Sequence, residues 1–243
     1  MVKTIGIIGH GHFGQFLEML AELFVPEAQI RIYSRRATPD RERFFSLEAA
    51  ASSDVVILCG AISEYEAQLK AVLPYLSEQS VVVDVATVKS HTEALCASVL
   101  GDRKYLYLHP MFGPESFQKR DGDVAGMRIV ATANTLSAGT FEVVRDWLTS
   151  LGFLVVQMTS EEHDKLLAHT LFLTHYISQS ILQAGFTRTP IDTLSFASLM
   201  DAVESVKNDR QLFEDVYRFN PYCREVAERF HTAQEEVWQS IQT

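Results

Sequence analysis

Basic residues are scarce in this chain. Its 243 residues include 21 Lys and Arg against 31 Asp and Glu, a formal net charge of −10, and no basic run exceeds two residues. Nucleic-acid binders concentrate Lys and Arg to displace phosphate counterions, so nucleic acid is not expected as the main partner. Cysteine is scarcer still. Cys59, Cys96 and Cys223 form no CxxC pair, and an odd number cannot pair completely. This argues against a disulfide framework and for a reduced, cytoplasmic setting. Cys59 closes an apolar run and reads as core filler. Long apolar runs are missing too. No stretch approaches the ~18 residues of a membrane span. The opening MVKTIGIIGHGHFGQ is apolar, but glycines punctuate it and no small-residue cleavage site follows. It reads as structure and not as a signal peptide. Disorder is excluded by composition, since 47% of the residues are hydrophobic and only 21% charged.

What is present is alternation. Strand-like runs occur at Lys3–Ile8, Gln29–Tyr33, Asp54–Cys59, Val81–Asp84, Tyr105–Leu108, Met127–Ala131 and Phe153–Val156. Helical spacing separates several of them, as in Phe13, Phe16, Leu17, Leu20, Leu23 and Phe24, and again over Phe141–Leu151, where Gly152 reads as the C-cap. Such alternation predicts a doubly wound parallel sheet. From Thr159 onward no strand is expected. Thr159-Ser160-Glu161-Glu162 has the capping-box pattern T-x-x-E. It opens a helix expected to run to about Gln183, stopped by Gly185, with Pro190 in a loop. Further helices fit Thr193–Lys207, Arg210–Phe219 and Pro221–Ile241. The expected organisation is a Rossmann-type α/β domain over residues 1–158 and an all-α domain over residues 159–243. The second is small for an independent core, so some of its apolar surface should pack on the first domain or on a second copy of the chain, and a homodimer is expected.

Gly9-His10-Gly11-His12-Phe13-Gly14 is G-x-G-x-x-G, directly after a strand and opening a helix. In that context Gly9 makes the tight turn, Gly11 admits a pyrophosphate and Gly14 lets helix and strand pack closely. The helix start, including His12 and Phe13, offers free N–H groups to phosphate. The His10 and His12 side chains read as incidental, and no metal site is expected. Sites for NAD place an acid after the second strand to hold the ribose 2′-hydroxyl. Here the chain reads Tyr33-Ser34-Arg35-Arg36. A hydroxyl and two guanidinium groups suit a 2′-phosphate, so NADP is the expected cofactor.

Open α/β sheets bind ligands at the carboxyl ends of their strands. Two polar stretches stand there, DVATVK at residues 84–89 and HPMFGPES at residues 109–116. His109 is the candidate general base, because an unperturbed imidazole titrates near neutral pH. A histidine that only bonds loop backbone is the plainer alternative.

Taken together, IGIIGHGHFGQFL, YSRR, DVATVKS, HPMFGPES, SEEHDKLLAHTLFLTHYI, TPIDT and LFEDVYRFNP resemble the prephenate/arogenate dehydrogenases of tyrosine biosynthesis. The resemblance runs from residue 4 to about residue 221 and is greatest to the plant-type, NADP-dependent arogenate branch. It implies an oxidative decarboxylation: hydride passes from the substrate's carbinol carbon to the nicotinamide, a histidine takes the hydroxyl proton, carbon dioxide leaves and the ring becomes aromatic.

Position by position, His109 then matches the catalytic base. Thr87 stands where the family usually has serine, with a hydroxyl able to hold the substrate or the histidine. Lys89 touches substrate or cofactor, or is a structural ion pair. His175 matches a histidine facing the substrate; read without the resemblance, it is a core residue. Asp164 either serves the dipole of its helix start or meets the arogenate ammonium. Where prephenate-using relatives tend to carry a carboxylate-gripping arginine, this chain has Glu204, with Lys207 a turn later as a candidate substrate contact. An acid there disfavours the dianion prephenate, which remains the alternative substrate. Both ligands are anionic, so binding in so acidic a chain is expected to rest on the glycine-loop helix, Arg35, Arg36, Lys89, His175 and Lys207.

Overall fold

The computed structural model describes residues 2–242. Seven strands form one sheet: β1 Thr4–Ile8, β2 Gln29–Tyr33, β3 Val55–Leu58, β4 Val81–Asp84, β5 Lys104–Pro110, β6 Arg128–Asn134 and β7 Leu154–Gln157. Their order is β2-β1-β3-β4-β5-β6-β7. The helices are α1 His12–Phe24, α2 Leu47–Ala51, α3 Tyr65–Val72, α4 Lys89–Leu100, α5 Pro114–Gln118, α6 Ala138–Ser150, α7 Ser160–Leu167, α8 Leu173–Gln183, α9 Leu194–Val206, α10 Arg210–Phe219 and α11 Cys223–Ser240. The chain divides into two compact units, one up to Ser160 and one from Glu161 onward.

The first unit is an α/β sheet with one departure from the expected all-parallel design. Strands β1 to β5 are parallel, but β6 pairs antiparallel to β5 and β7 runs parallel to β6. The reason lies in the connection. Parallel neighbours are usually joined by a crossover that carries a full helix over the sheet face. Between β5 and β6 the chain supplies only the five-residue α5 and tight turns, with positive φ at Asp121, Gly122 and Gly126. That segment returns the chain beside itself, so β6 comes back antiparallel.

Two glycines fix how α1 meets the sheet. Gly9 takes φ +107°, a backbone conformation that side chains disfavour. At Gly14 a Cβ would lie 2.3 Å from the Gly9 carbonyl oxygen, so only glycine lets the helix begin this close to the strand. Phe16 and Leu20 of α1 then pack with Phe117, Met127, Ile129 and Phe153. Phe112 of the HPMFGP stretch stacks on Phe153 with centroids 5.6 Å apart and crosses Phe16 edge-on at 6.1 Å. The phenylalanine of that motif is therefore an anchor that holds the loop after β5 against α1.

The second unit is helical throughout. Its long first helix spans residues 160–183, but it is not α-helical along its whole length: residues Ala168–Phe172 form a π segment. Thr170 and Thr174 each donate their hydroxyl to the carbonyl four residues earlier, at 2.8 and 3.0 Å, bonds that loosen the regular ladder. The segment ends on Phe172, which stacks with Tyr176, Phe213 and Tyr217 at centroid separations of 5.7 to 5.9 Å. Offset aromatic stacks add to area burial and supply much of this unit's interior.

Replacing Gly14 with Ala is expected to force α1 off β1. A loss of roughly 1–3 kcal/mol follows from overpacking against rigid backbone, read as a lower urea midpoint with unchanged slope. Gly11→Ala, where a Cβ meets nothing within 4 Å, should leave the midpoint in place.

Candidate functional site

A cleft of about 500 Å³ opens over the carboxyl ends of β1, β2 and β3, lined by Gly9, His10, Gly11, Ser34, Arg35, Arg36, Cys59 and residues of the turn after β3. The G-x-G-x-x-G loop and the Ser34-Arg35-Arg36 run thus share one cleft. Gly11 is the N-cap of α1, without a side-chain cap, so the first N–H groups of that helix remain available to an anion. Open space where the Gly11 Cβ would be gives a pyrophosphate room for close approach. These features fit a dinucleotide. Phe13 packs inward beside Phe16, so any contact from it to a cofactor is through backbone. The His12 side chain is 66% exposed and leans towards Glu115 at 3.5 Å.

His10 is not incidental. Its Nε2 lies 2.8 Å from Glu18 Oε2, and Arg43 donates to both Glu18 oxygens at 2.6 and 2.7 Å. Glu18 is only 6% exposed. Burial by itself would raise its carboxyl, but the bonds from Arg43 and His10 outweigh that and hold it below the ordinary glutamate range. One buried carboxylate therefore ties the glycine loop to the segment after β2. The signal in the sequence is a glutamate at a position otherwise on the apolar face of α1.

The second cluster lies at the ends of β4 and β5. His109 is the sixth residue of β5, pairs with Val130 of β6 and is 5% exposed. Thr87 sits half-buried in the loop between β4 and α4. Register places Asp84 beside Tyr107, so the two loops leave the sheet from neighbouring positions along one edge. Lys89 is not a ligand contact. It has no solvent exposure, and its ammonium donates to Asp84 Oδ2 at 2.9 Å, to the Asp84 carbonyl at 3.3 Å and to the Leu108 carbonyl at 2.6 Å. Of the two readings open in the sequence, the structural ion pair is the one formed.

In the helical unit His175 is 4% exposed, and burial pushes its imidazole down to about 4. It is neutral at physiological pH, not the cation expected. Its Nδ1 has no hydrogen-bond partner among the described residues. A buried, unpaired ring nitrogen is uncommon and needs an explanation; a ligand polar group would supply one. Asp164 is fully buried. Its Oδ1 is 2.8 Å from His163 Nδ1, and its carbonyl accepts from Asn220 Nδ2 at 2.8 Å. The EHD and FNP stretches thus meet as packing partners. Glu204 is no bare acid either: Arg188 bonds it at 2.7 Å and Asp201 at 2.6 Å, and both carboxylates lie on the surface. Lys207 is exposed, at the C-terminal end of α9.

Sequence reasoning missed Glu64. It comes from the turn after β3, lines the nucleotide cleft, and its Oε2 lies 2.5 Å from Arg35 Nη2. No local pattern marks it, because its partner is 29 residues away in sequence.

Comparison with known proteins agrees with this geometry. The family model described as "Prephenate dehydrogenase, nucleotide-binding domain" matches residues 38–123, and a second, "TYRAAT1-like, C-terminal domain", matches residues 181–243. Arogenate dehydrogenase 2, chloroplastic, of Arabidopsis thaliana is 30% identical over 96% of this chain and 68% of its own length. Arogenate dehydrogenase 1, chloroplastic, of the same plant is also 30% identical over 96% of this chain, which spans only 38% of that relative. Among solved structures, prephenate dehydrogenase from A. aeolicus, in complex with hydroxyphenyl propionate and NAD+, superposes with a TM-score of 0.77 at 19% identity, covering 99% of this chain and 91% of the other. Among the described residues no helix is long and apolar enough to cross a membrane, and no group of His, Cys, Asp and Glu could hold a metal ion.

Because the folded-state Glu18 carboxyl is lowered, its contribution to stability is complete above the ordinary glutamate range and disappears as pH falls through the depressed value. Glu18→Gln is therefore expected to lose stability at pH 7. The gap between variant and wild type should close towards pH 3, measured by urea unfolding across that interval.

Proposed function

Because the chain belongs to the prephenate/arogenate dehydrogenase family, we propose that it is an NADP-dependent arogenate dehydrogenase, converting arogenate to tyrosine with His109 as general base. The observation that carries the cofactor assignment is the shared cleft: Ser34, Arg35 and Arg36 line the same space as Gly9 and Gly11, and β2 ends without a carboxylate. The substrate assignment leans on the plant arogenate dehydrogenases that the chain matches along nearly its whole length.

The chemistry follows from where the side chains stand. A nicotinamide dinucleotide held by the glycine loop and by Ser34, Arg35 and Arg36 would supply the hydride acceptor. His109 takes the proton of the ring hydroxyl as the carbinol carbon is oxidised; loss of the carboxylate as carbon dioxide then leaves an aromatic ring. Aromatisation supplies the driving force, so the protein's main tasks are to position the partners and present one base. The Thr87 hydroxyl orients the substrate hydroxyl or the imidazole. His175, neutral and with an unpaired Nδ1, donates to or accepts from substrate, but contributes no charge. Lys207 remains a candidate for a substrate carboxylate. Three free cysteines support a reducing compartment such as the cytoplasm. The helical unit exposes Ile191 and Leu194 at 87% and 86%, with Phe186 at 62%, which supports a homodimer formed through that unit.

Prephenate is the second reading, and one observation favours it. Arg188 bonds Glu204 but is shared with Asp201, which weakens the electrostatic objection that the acid at that position raised.

A two-by-two assay of arogenate or prephenate with NADP or NAD tests the assignment, and turnover only with NAD would overturn the cofactor reading. His109→Asn is expected to lower kcat by about 10²–10⁴-fold with little change in KM. In sedimentation velocity, Leu194→Asp with Ile191→Asp should shift a dimer to monomer; an unchanged dimer would put the interface elsewhere.

A further inference from the structure

We propose that Glu64 is a specificity-determining residue of the nucleotide cleft, a carboxylate that competes with the ligand's 2′-phosphate for Arg35. The inference rests on the reading that this cleft holds the adenosine end of a nicotinamide dinucleotide. Glu64 supplies the lone carboxylate among the residues lining the cleft. It ends the short 3-10 turn Ile62–Glu64 that follows β3, on the opposite side of the opening from the residues after β2. Its Oε2 bonds Arg35 Nη2, with side-chain exposures of 45% and 72%. Glu64 acts on Arg35 by direct bonding and by charge, raising the guanidinium further above its ordinary range.

Two consequences follow from the charges. An exposed ion pair of this kind contributes little net stability, so a phosphate dianion offering a bidentate partner can displace the carboxylate. The displaced carboxylate nonetheless stays near the phosphate, where like charge works against binding. For a ligand with a 2′-hydroxyl the same carboxylate is an acceptor. Glu64 then stands in, from β3, for the acid that NAD sites carry after β2. Arg36 is differently placed. Its guanidinium has no bonded partner among the described residues, and its backbone N–H donates to Ser34 Oγ at 3.3 Å. The site therefore combines one uncommitted cation, one neutralised cation and one carboxylate. That combination narrows the preference between the two cofactors.

The test is calorimetric titration of the full chain with adenosine 2′,5′-bisphosphate, 5′-AMP, NADP and NAD, using wild type, Glu64→Gln, Arg35→Ala and the double variant. None of these ligands requires turnover to be read. Glu64→Gln is expected to tighten adenosine 2′,5′-bisphosphate and NADP by about tenfold and to weaken 5′-AMP and NAD alike, since both present a free 2′-hydroxyl that loses its charged acceptor. In the Arg35→Ala background the gain should shrink to about threefold, because only the like-charge part remains. A bisphosphate-to-AMP affinity ratio that moves less than twofold in Glu64→Gln overturns the proposal, as does a gain equally large without Arg35. Failure of the NADP reading looks different. There, wild type binds NAD better than NADP, while Glu64→Gln still moves the ratio towards the phosphorylated ligand. Glu64 is solvent-exposed and an unchanged thermal midpoint in the variant excludes misfolding as the cause.

Discussion

A lysine sealed from solvent holds together the edge of the sheet on which the proposed chemistry would take place. Lys89 stands at the first position of α4, and its ammonium reaches across from the end of β4 to the Leu108 carbonyl on β5. Its charge is matched by Asp84, which also accepts from the Thr92 hydroxyl at 2.6 Å and from the Ala86 N–H at 2.8 Å. A buried pair with every oxygen occupied costs less than a bare one, and what it secures is position. The loop that carries Thr87 leaves the sheet between Asp84 and Lys89, and His109 follows Leu108 directly. Two side chains separated by 22 positions in sequence thus depend on one ammonium for their relative placement. An apolar pair of similar volume could fill the space, but only the backbone ladder would then join the two strand ends.

The same pair changes how an acidic protein is understood to hold anionic ligands. With a net charge of −10, every local cation counts, and several that the sequence offered are already committed. Lys89 is spent on Asp84. His175 is kept neutral by burial. Arg188 is divided between Asp201 and Glu204, and Arg43 is fixed on Glu18. In the nucleotide cleft the remainder is Arg36, a partly neutralised Arg35 and the N-terminus of α1. Backbone dipoles gain weight when side-chain charge is this limited. This explains why the glycine loop is so tightly specified, with Gly14 against the Gly9 carbonyl and His10 clamped by Glu18.

The fold was legible where local periodicity and backbone rules act. Each strand was found to within three residues at either end, because buried parallel strands read as short apolar runs between turns. The glycine loop was legible because positive φ and close approach demand particular residues at particular spacings. The direction of β6 was not. It depends on the lack of a full helix in the segment that joins it to β5, and Phe117 and Met127 looked like ordinary core. The π segment was invisible, since Leu166, Thr170, Leu173 and Ile177 keep helical spacing across it. Pairings across the sequence were hidden for the same reason. Arg35 and Glu64, Glu18 and Arg43, and Asp164 and Asn220 belong to different elements, and no local pattern marks one for the other.

Motif resemblance and physical role also separate here in an instructive way. SEEHD and RFNP belong to the stretches by which the family is recognised, yet the Asp164 carboxylate pairs with His163 and the Asp164 carbonyl accepts from Asn220, fastening the first long helix to the turn between α10 and α11. Within HPMFGP the histidine stands at the sheet edge, whereas Phe112 is an aromatic anchor against Phe153 and Phe16. Shared residues thus divide into those that face a ligand and those that hold the former in place. Burial with satisfied partners identifies the second kind, as at Asp164, Lys89 and Phe112. A buried atom left unsatisfied is what the first kind would show, and His175 Nδ1 is such an atom in the helical unit. The distinction rests on accounting for each polar atom, and it supports the proposed substrate contact of His175 on grounds that the family resemblance does not supply.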